Sequence, residues 1–123
     1  MATEFDDGRL RITSAGDPPV LRVEGEVDAG GRAALARALR EALDRAPGRD
    51  LRVDLGGLQG IDLGGLRALA DAGRAAGEGR VLVLDPLPHR VRVLLELTGW
   101  AGGAGLRLGG SGPPEEDGER PSG

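Results

Sequence analysis

Two aspartates, a histidine and a run of glycines are the residues whose types and spacing could do chemistry. Asp54 and Asp62 flank a glycine-rich stretch, Gly56 to Gly65. Paired carboxylates can share acid and base roles when their surroundings drive their pKa values apart. The simpler reading is that Asp54 ends a strand and Asp62 caps a helix, its carboxylate accepting N–H groups of the first turn. The glycines invite a phosphate cradle, but a P-loop needs Lys followed by Ser or Thr after its last Gly, and neither is here. The G-x-G-x-x-G dinucleotide pattern is missing too. A tight strand-to-helix turn asks for the same small residues. His89, the only histidine, sits at a helix start and could act as a general base, but no Ser, Cys or metal partner stands near it in sequence. Trp100 reads as an apolar plug over one end of the sheet in preference to a partner hot spot. With no nucleophile–base pair, metal set or cofactor loop, the expectation is a protein that is not an enzyme, with no catalytic residues, metal or cofactor.

The elements that hold these residues must come from one small core. The chain has 123 residues, 39% apolar and 29% charged, which suits a single folded domain. Aromatic residues are only 2%, so Leu, Val and Ala must fill the interior. The net charge of −4 argues against a nucleic-acid binder, which normally shows a basic face. All the basic residues are Arg, which with abundant Ala, Gly and Pro suggests the codon bias of a GC-rich genome. Cysteine is absent, which excludes disulfides and thiolate chemistry. The acidic start, Met1 to Asp7, has no apolar run behind it, so no signal peptide is expected. No stretch approaches the roughly 20 apolar residues of a membrane span. A cytoplasmic protein without membrane insertion is expected; its oligomeric state is open.

Residues 1–8 read as a flexible, frayed start. Leu10-Arg11-Ile12-Thr13 alternates as a half-buried strand does, Asp17-Pro18-Pro19 marks a turn, and Val20 to Gly25 reads as the second strand of a hairpin. A first helix is predicted over Arg32 to Ala46, with Leu35, Leu39, Ala42, Leu43 and Ala46 on its apolar stripe. Arg37–Glu41, Glu41–Arg45 and Arg40–Asp44 are spaced to pair on its surface. Leu51 to Leu55 reads as a central strand. The glycine-rich loop follows, then a second helix from about Gly64 to Ala76 with Leu66, Leu69, Ala70 and Gly73 facing inward. Val81 to Leu84 is an apolar run suited to a buried parallel strand. A third helix is predicted over His89 to Leu97, and a short last strand over Leu106 to Leu108. From Gly109 to Gly123 the composition reads as a disordered acidic Gly/Pro-rich tail. The order β-β-α-β-α-β-α-β implies an α/β domain over residues 9–108, with a mainly parallel sheet flanked by helices.

Three segments in this order resemble the STAS domain family, in its anti-sigma factor antagonist type. They are Gly25-Glu26-Val27-Asp28, then Val53-Asp54-Leu55 with Ile61-Asp62-Leu63-Gly64-Gly65-Leu66, and Val91 to Gly99 ending in Leu-Thr-Gly. The resemblance implies a protein-binding module. Antagonists of this family bind an anti-sigma factor that is also a serine kinase, and so free a sigma factor for transcription. The kinase phosphorylates a serine at the start of the second helix, and the added charge of about −1.5 to −2 breaks the complex. Here the phosphoacceptor position is Gly64 and the residue before it is Leu63, so no hydroxyl stands at either place. The family's Ser or Thr near the start of the first helix corresponds to Gly31. The partner-binding residues carried over are Asp28, Gly60, Asp62, Leu63, Gly64, Gly65 and Leu66, with Leu63 and Leu66 as apolar anchors and Leu66 equally suited to the core. The resemblance leaves three outcomes open. The chain is a permanently unphosphorylated antagonist; or it is a non-signalling STAS subunit or scaffold of a larger lipid- or anion-transport or stress-signalling assembly; or its regulation has moved to another hydroxyl, such as Thr98 or Ser111.

Overall fold

The computed structural model describes residues 1–16, 19–77, 79–102 and 105–109. Asp17, Pro18 and the expected acidic tail from 110 onward, with Ser111, lie outside the described residues.

Local pattern explains most of the elements. Strand β1 is Ala2–Asp6, β2 is Leu10–Ala15 and β3 is Val20–Val27, followed by helix α1, Arg32–Arg45. Strands β4, Leu51–Asp54, and β5, Leu58–Ile61, lead to helix α2, Leu63–Ala75; β6, Leu82–Leu84, α3, His89–Leu97, and β7, Leu106–Leu108, complete the order. The described strands form one seven-stranded sheet, in the order β1-β2-β3-β4-β6-β7 with β5 also on β3. The β1–β2 and β2–β3 pairs are antiparallel; β3–β4, β3–β5, β4–β6 and β6–β7 are parallel.

Register sorts the side chains. Leu21 pairs with Val53 and Val53 with Leu84, and all three are fully buried on one face. Arg22 pairs with Asp54, and Arg52 with Val83, on the other. Helix α1 packs against β3 and β1, and α2 against β6, β7 and α1. Leu35, Leu39, Leu66, Leu69, Val91 and Leu95 carry the helices into the same aliphatic cluster as the buried sheet face.

The structure departs from expectation in three places. The expected frayed start is instead strand β1, and its Glu4 takes Arg45 of α1 at 3.4 Å. That contact takes Arg45 away from Glu41, and none of the three expected pairs along α1 forms among the described residues. The expected glycine-rich loop contains strand β5: β4 pairs with the first half of β3 and β5 with the second. Between them the chain steps aside at Gly56–Gly57, where Gly25 N–H donates to the Gly57 carbonyl at 3.1 Å.

Candidate functional site

The end of β5 fixes the start of α2. Val27 and Ile61 are partners in the parallel β3–β5 pair, and Asp62 N–H donates to the Val27 carbonyl at 2.9 Å. The two chains therefore leave the sheet side by side, one into the Asp28 turn and the other into α2. Asp62 is the N-cap: its Oδ1 accepts from Gly65 N–H at 2.8 Å, and its backbone carbonyl accepts from Leu66 N–H at 3.0 Å. This is the expected cap, and it satisfies a donor that would otherwise have no partner in the first turn.

Asp28 organises the neighbouring turn. Its carboxylate accepts from Gly30 N–H at 3.0 Å and from Arg9 Nη2 at 2.6 Å, and its carbonyl accepts from Gly31 and Arg32 N–H. Arg9 also reaches Glu26 at 3.0 Å. Helix α1 has Gly31 as its N-cap, with no side-chain cap, as its residue type requires. Gly60 is half-buried and lies opposite Glu26 in the β3–β5 ladder.

The predicted contact residues separate by depth. Leu63 is 61% exposed, whereas Leu66 is 1% exposed and belongs to the core, which corrects its assignment as an anchor. Gly65 is buried as well: a Cβ there would lie 2.7 Å from Val27 Cγ1 and Ile61 Cγ1. Gly65 therefore lets α2 approach the strand ends and offers no surface to a partner. Leu63, Gly64 and Asp62 line an open groove of about 510 Å³ together with Arg32, Arg67 and Trp100.

Sequence reasoning missed Arg32 and placed Trp100 only in part. Arg32 Nε lies 3.6 Å from Asp62 Oδ2. Its side chain crosses the backbone at Gly64, where a Cβ would overlap Arg32 Cδ and lie 2.7 Å from Cζ. Trp100 packs against the core and also forms one wall of the groove beside Leu63. The available signal was the Gly64-Gly65 pair, since glycine in a helix costs about 0.8–1.0 kcal/mol relative to Ala and suggests a close approach.

The residues considered for acid–base chemistry do not converge. Asp54 accepts from Gly56 N–H at 2.8 Å and lies 3.4 Å from Arg22 on the outer sheet face, while Asp62 faces Arg32. His89 is exposed at the start of α3. No helix among the described residues is long and apolar enough to cross a membrane.

Comparison with known proteins gives this geometry a family. No curated protein sequence matches significantly. An anti-sigma factor antagonist from Mycobacterium paratuberculosis has a similar crystal structure, with TM-score 0.61 and 27% identity over 77% of this chain and 84% of that one. The anti-sigma factor antagonist SpoIIAA in its unphosphorylated form matches at TM-score 0.56 and 16% identity, over 83% of this chain and 89% of that one. The phosphorylated form of SpoIIAA, a Bacillus cell fate determinant, matches at TM-score 0.54 and 17% identity, over 83% and 92% of the two chains. The SpoIIAA likenesses bear on fold alone. The family described as "Mlab, STAS domain" matches residues 10–108, and on that match the chain belongs to the STAS domain family.

Proposed function

We propose that this chain is a protein-binding regulator of the anti-sigma factor antagonist kind, not an enzyme. It acts in the cytoplasm on transcription by engaging an anti-sigma factor of serine-kinase fold. It docks through the start of α2 and the adjoining Asp28 turn. Gly64 leaves no hydroxyl to phosphorylate, so the switch common to the family is absent at this position. The observation that carries the reading is Leu63. Among the described residues the large exposed apolar side chains are Met1, Leu63, Leu94 and Leu97. Of these, Leu63 is the one that lines the groove with Trp100, at the helix start where the family resemblance places the contact. The 27% identity to an anti-sigma factor antagonist adds support.

The missing hydroxyl also favours a second reading, a non-signalling STAS subunit of a larger assembly. Affinity capture from lysate of the native cell, comparing wild type with folded Leu63→Asp, separates the two. Capture of a kinase-like anti-sigma factor by wild type, lost in Leu63→Asp, is the expected result. Capture of transport or scaffold subunits by the same face would transfer the function to the second reading. Equal capture by both proteins would remove the docking face itself.

A further inference from the structure

The Gly64 backbone seats the side chain of another element. Arg32, the first residue of α1, lies across it and occupies the space that any residue-64 side chain would take. Its guanidinium is held on one side by Asp62 at 3.6 Å and remains about half exposed to solvent. A second arginine, Arg67, lines the same groove; its nearest acid is Asp71 at 3.8 Å, and it is more exposed still. Of the charged side chains that line the groove two are arginines and one, Asp62, is an acid; Asp71, the partner of Arg67, lies outside the lining. Each arginine thus has an acid on one side only and keeps about half or more of its side chain exposed to solvent.

Building on the docking face proposed above, we propose that Arg32 stands in for the missing residue-64 side chain. It is a specificity-determining contact that presents a fixed positive charge to a carboxylate on the partner. Leu63 and Trp100 supply the apolar part of the contact beside it, and Arg67 extends the charge along α2. Such a face accepts a protein surface carrying Asp or Glu next to an apolar side chain and disfavours a basic one. Charge complementarity of this kind acts chiefly on partner choice and association rate. Gly64 is required because any larger residue turns Arg32 out of its seat.

Two measurements test this. In wild type, nuclear Overhauser contacts are expected between the Gly64 Hα protons and the Arg32 Hδ protons, and Gly64→Ala should remove them while leaving the far-UV circular dichroism unchanged. Absence of those contacts in wild type would overturn the placement of Arg32. The second measurement compares Arg32→Glu with Leu63→Asp and with Arg37→Glu, an exposed α1 position outside the groove, in binding to the captured partner. Arg32→Glu should weaken binding by at least about tenfold and reduce its salt dependence, while Arg37→Glu leaves both unchanged. If Leu63→Asp abolishes binding and Arg32→Glu does not weaken it, the docking face stands and the role of Arg32 falls. If neither change matters, the docking face falls with it.

Discussion

Truncating Leu63 and Leu66 separately should have opposite consequences, although the two lie one helical turn apart. Residues at i and i+3 share a helix face, so the contrast comes from depth and not from rotation. Leu66 lies over the strands, 1% exposed, in the cluster that contains Val27, Leu35 and Leu69. Leu63 is the first residue of α2, at the rim of the sheet, and is 61% exposed. Leu66→Ala removes most of a buried side chain and leaves a cavity, a loss of about 3 kcal/mol. For a domain of this size that lowers Tm by roughly 10–20 °C. Leu63→Ala removes little buried area and keeps a good helix former, so its cost is below about 0.5 kcal/mol. Its effect should appear in partner binding, which Leu66→Ala would alter only through loss of folded protein. Urea and thermal denaturation followed by far-UV circular dichroism measure both. If Leu63→Ala costs as much stability as Leu66→Ala, the first turn of α2 is packed over the sheet, and Leu63 cannot serve as the exposed anchor.

Two further outcomes follow from local contacts. Asp62→Ala should lose about 1 kcal/mol of stability by leaving Gly65 N–H without its cap, while Asp62→Asn, which keeps an acceptor oxygen, should lose about half of that or less; denaturation midpoints of the pair decide it, and equal losses would assign the effect to the Arg32 contact instead. The Asp7 carboxylate accepts from Leu10 and Arg9 N–H, each at 2.9 Å, and these bonds lower its pKa below the ordinary value of 3.8. A lowered folded-state pKa makes a contribution that is complete above the ordinary range and is lost as pH falls through the folded value. An NMR titration of Asp7 should therefore give a midpoint below that of an unstructured peptide; a midpoint at or above it would mean that the β1–β2 turn does not hold the carboxylate.

What the sequence made legible was whatever depends on a short stretch of chain. The third helix is found over His89–Leu97 as its apolar spacing and the following Thr-Gly imply, and the first differs only at its last residue. The Asp62 cap was equally readable, because a capping carboxylate and the N–H it accepts are three residues apart in sequence. The two added strands were not readable from their own residues. Ala2–Asp6 carries acid and polar groups and pairs on one side only, with β2. Leu58–Ile61 contains Gly60 and follows Gly56-Gly57, a composition that reads as loop; only the free flank of β3 beyond Arg22 makes a strand of it. Strand preference is largely a statement about neighbours, and here the neighbour is far away in sequence.

The glycine pair at the start of α2 shows why the site itself was harder to read than the fold. Two glycines in one helical turn oppose helix formation, by about 0.8–1.0 kcal/mol each where the position is interior. Local preference alone would replace both, yet each is held by a different tertiary demand. At residue 65 the demand is packing: a Cβ would press on Val27 and Ile61 at 2.7 Å, and the helix would have to lift from the strands that aim it. At residue 64 the obstacle is only the far part of an exposed arginine, which can swing away at little cost. Stability therefore explains Gly65 but not Gly64. A glycine that costs helix stability and protects nothing but the seat of one surface cation is better explained by what that cation meets. The same reasoning sets the contrast between substitutions: Gly65→Ala should unseat the helix, whereas Gly64→Ala should leave the fold intact and move only Arg32.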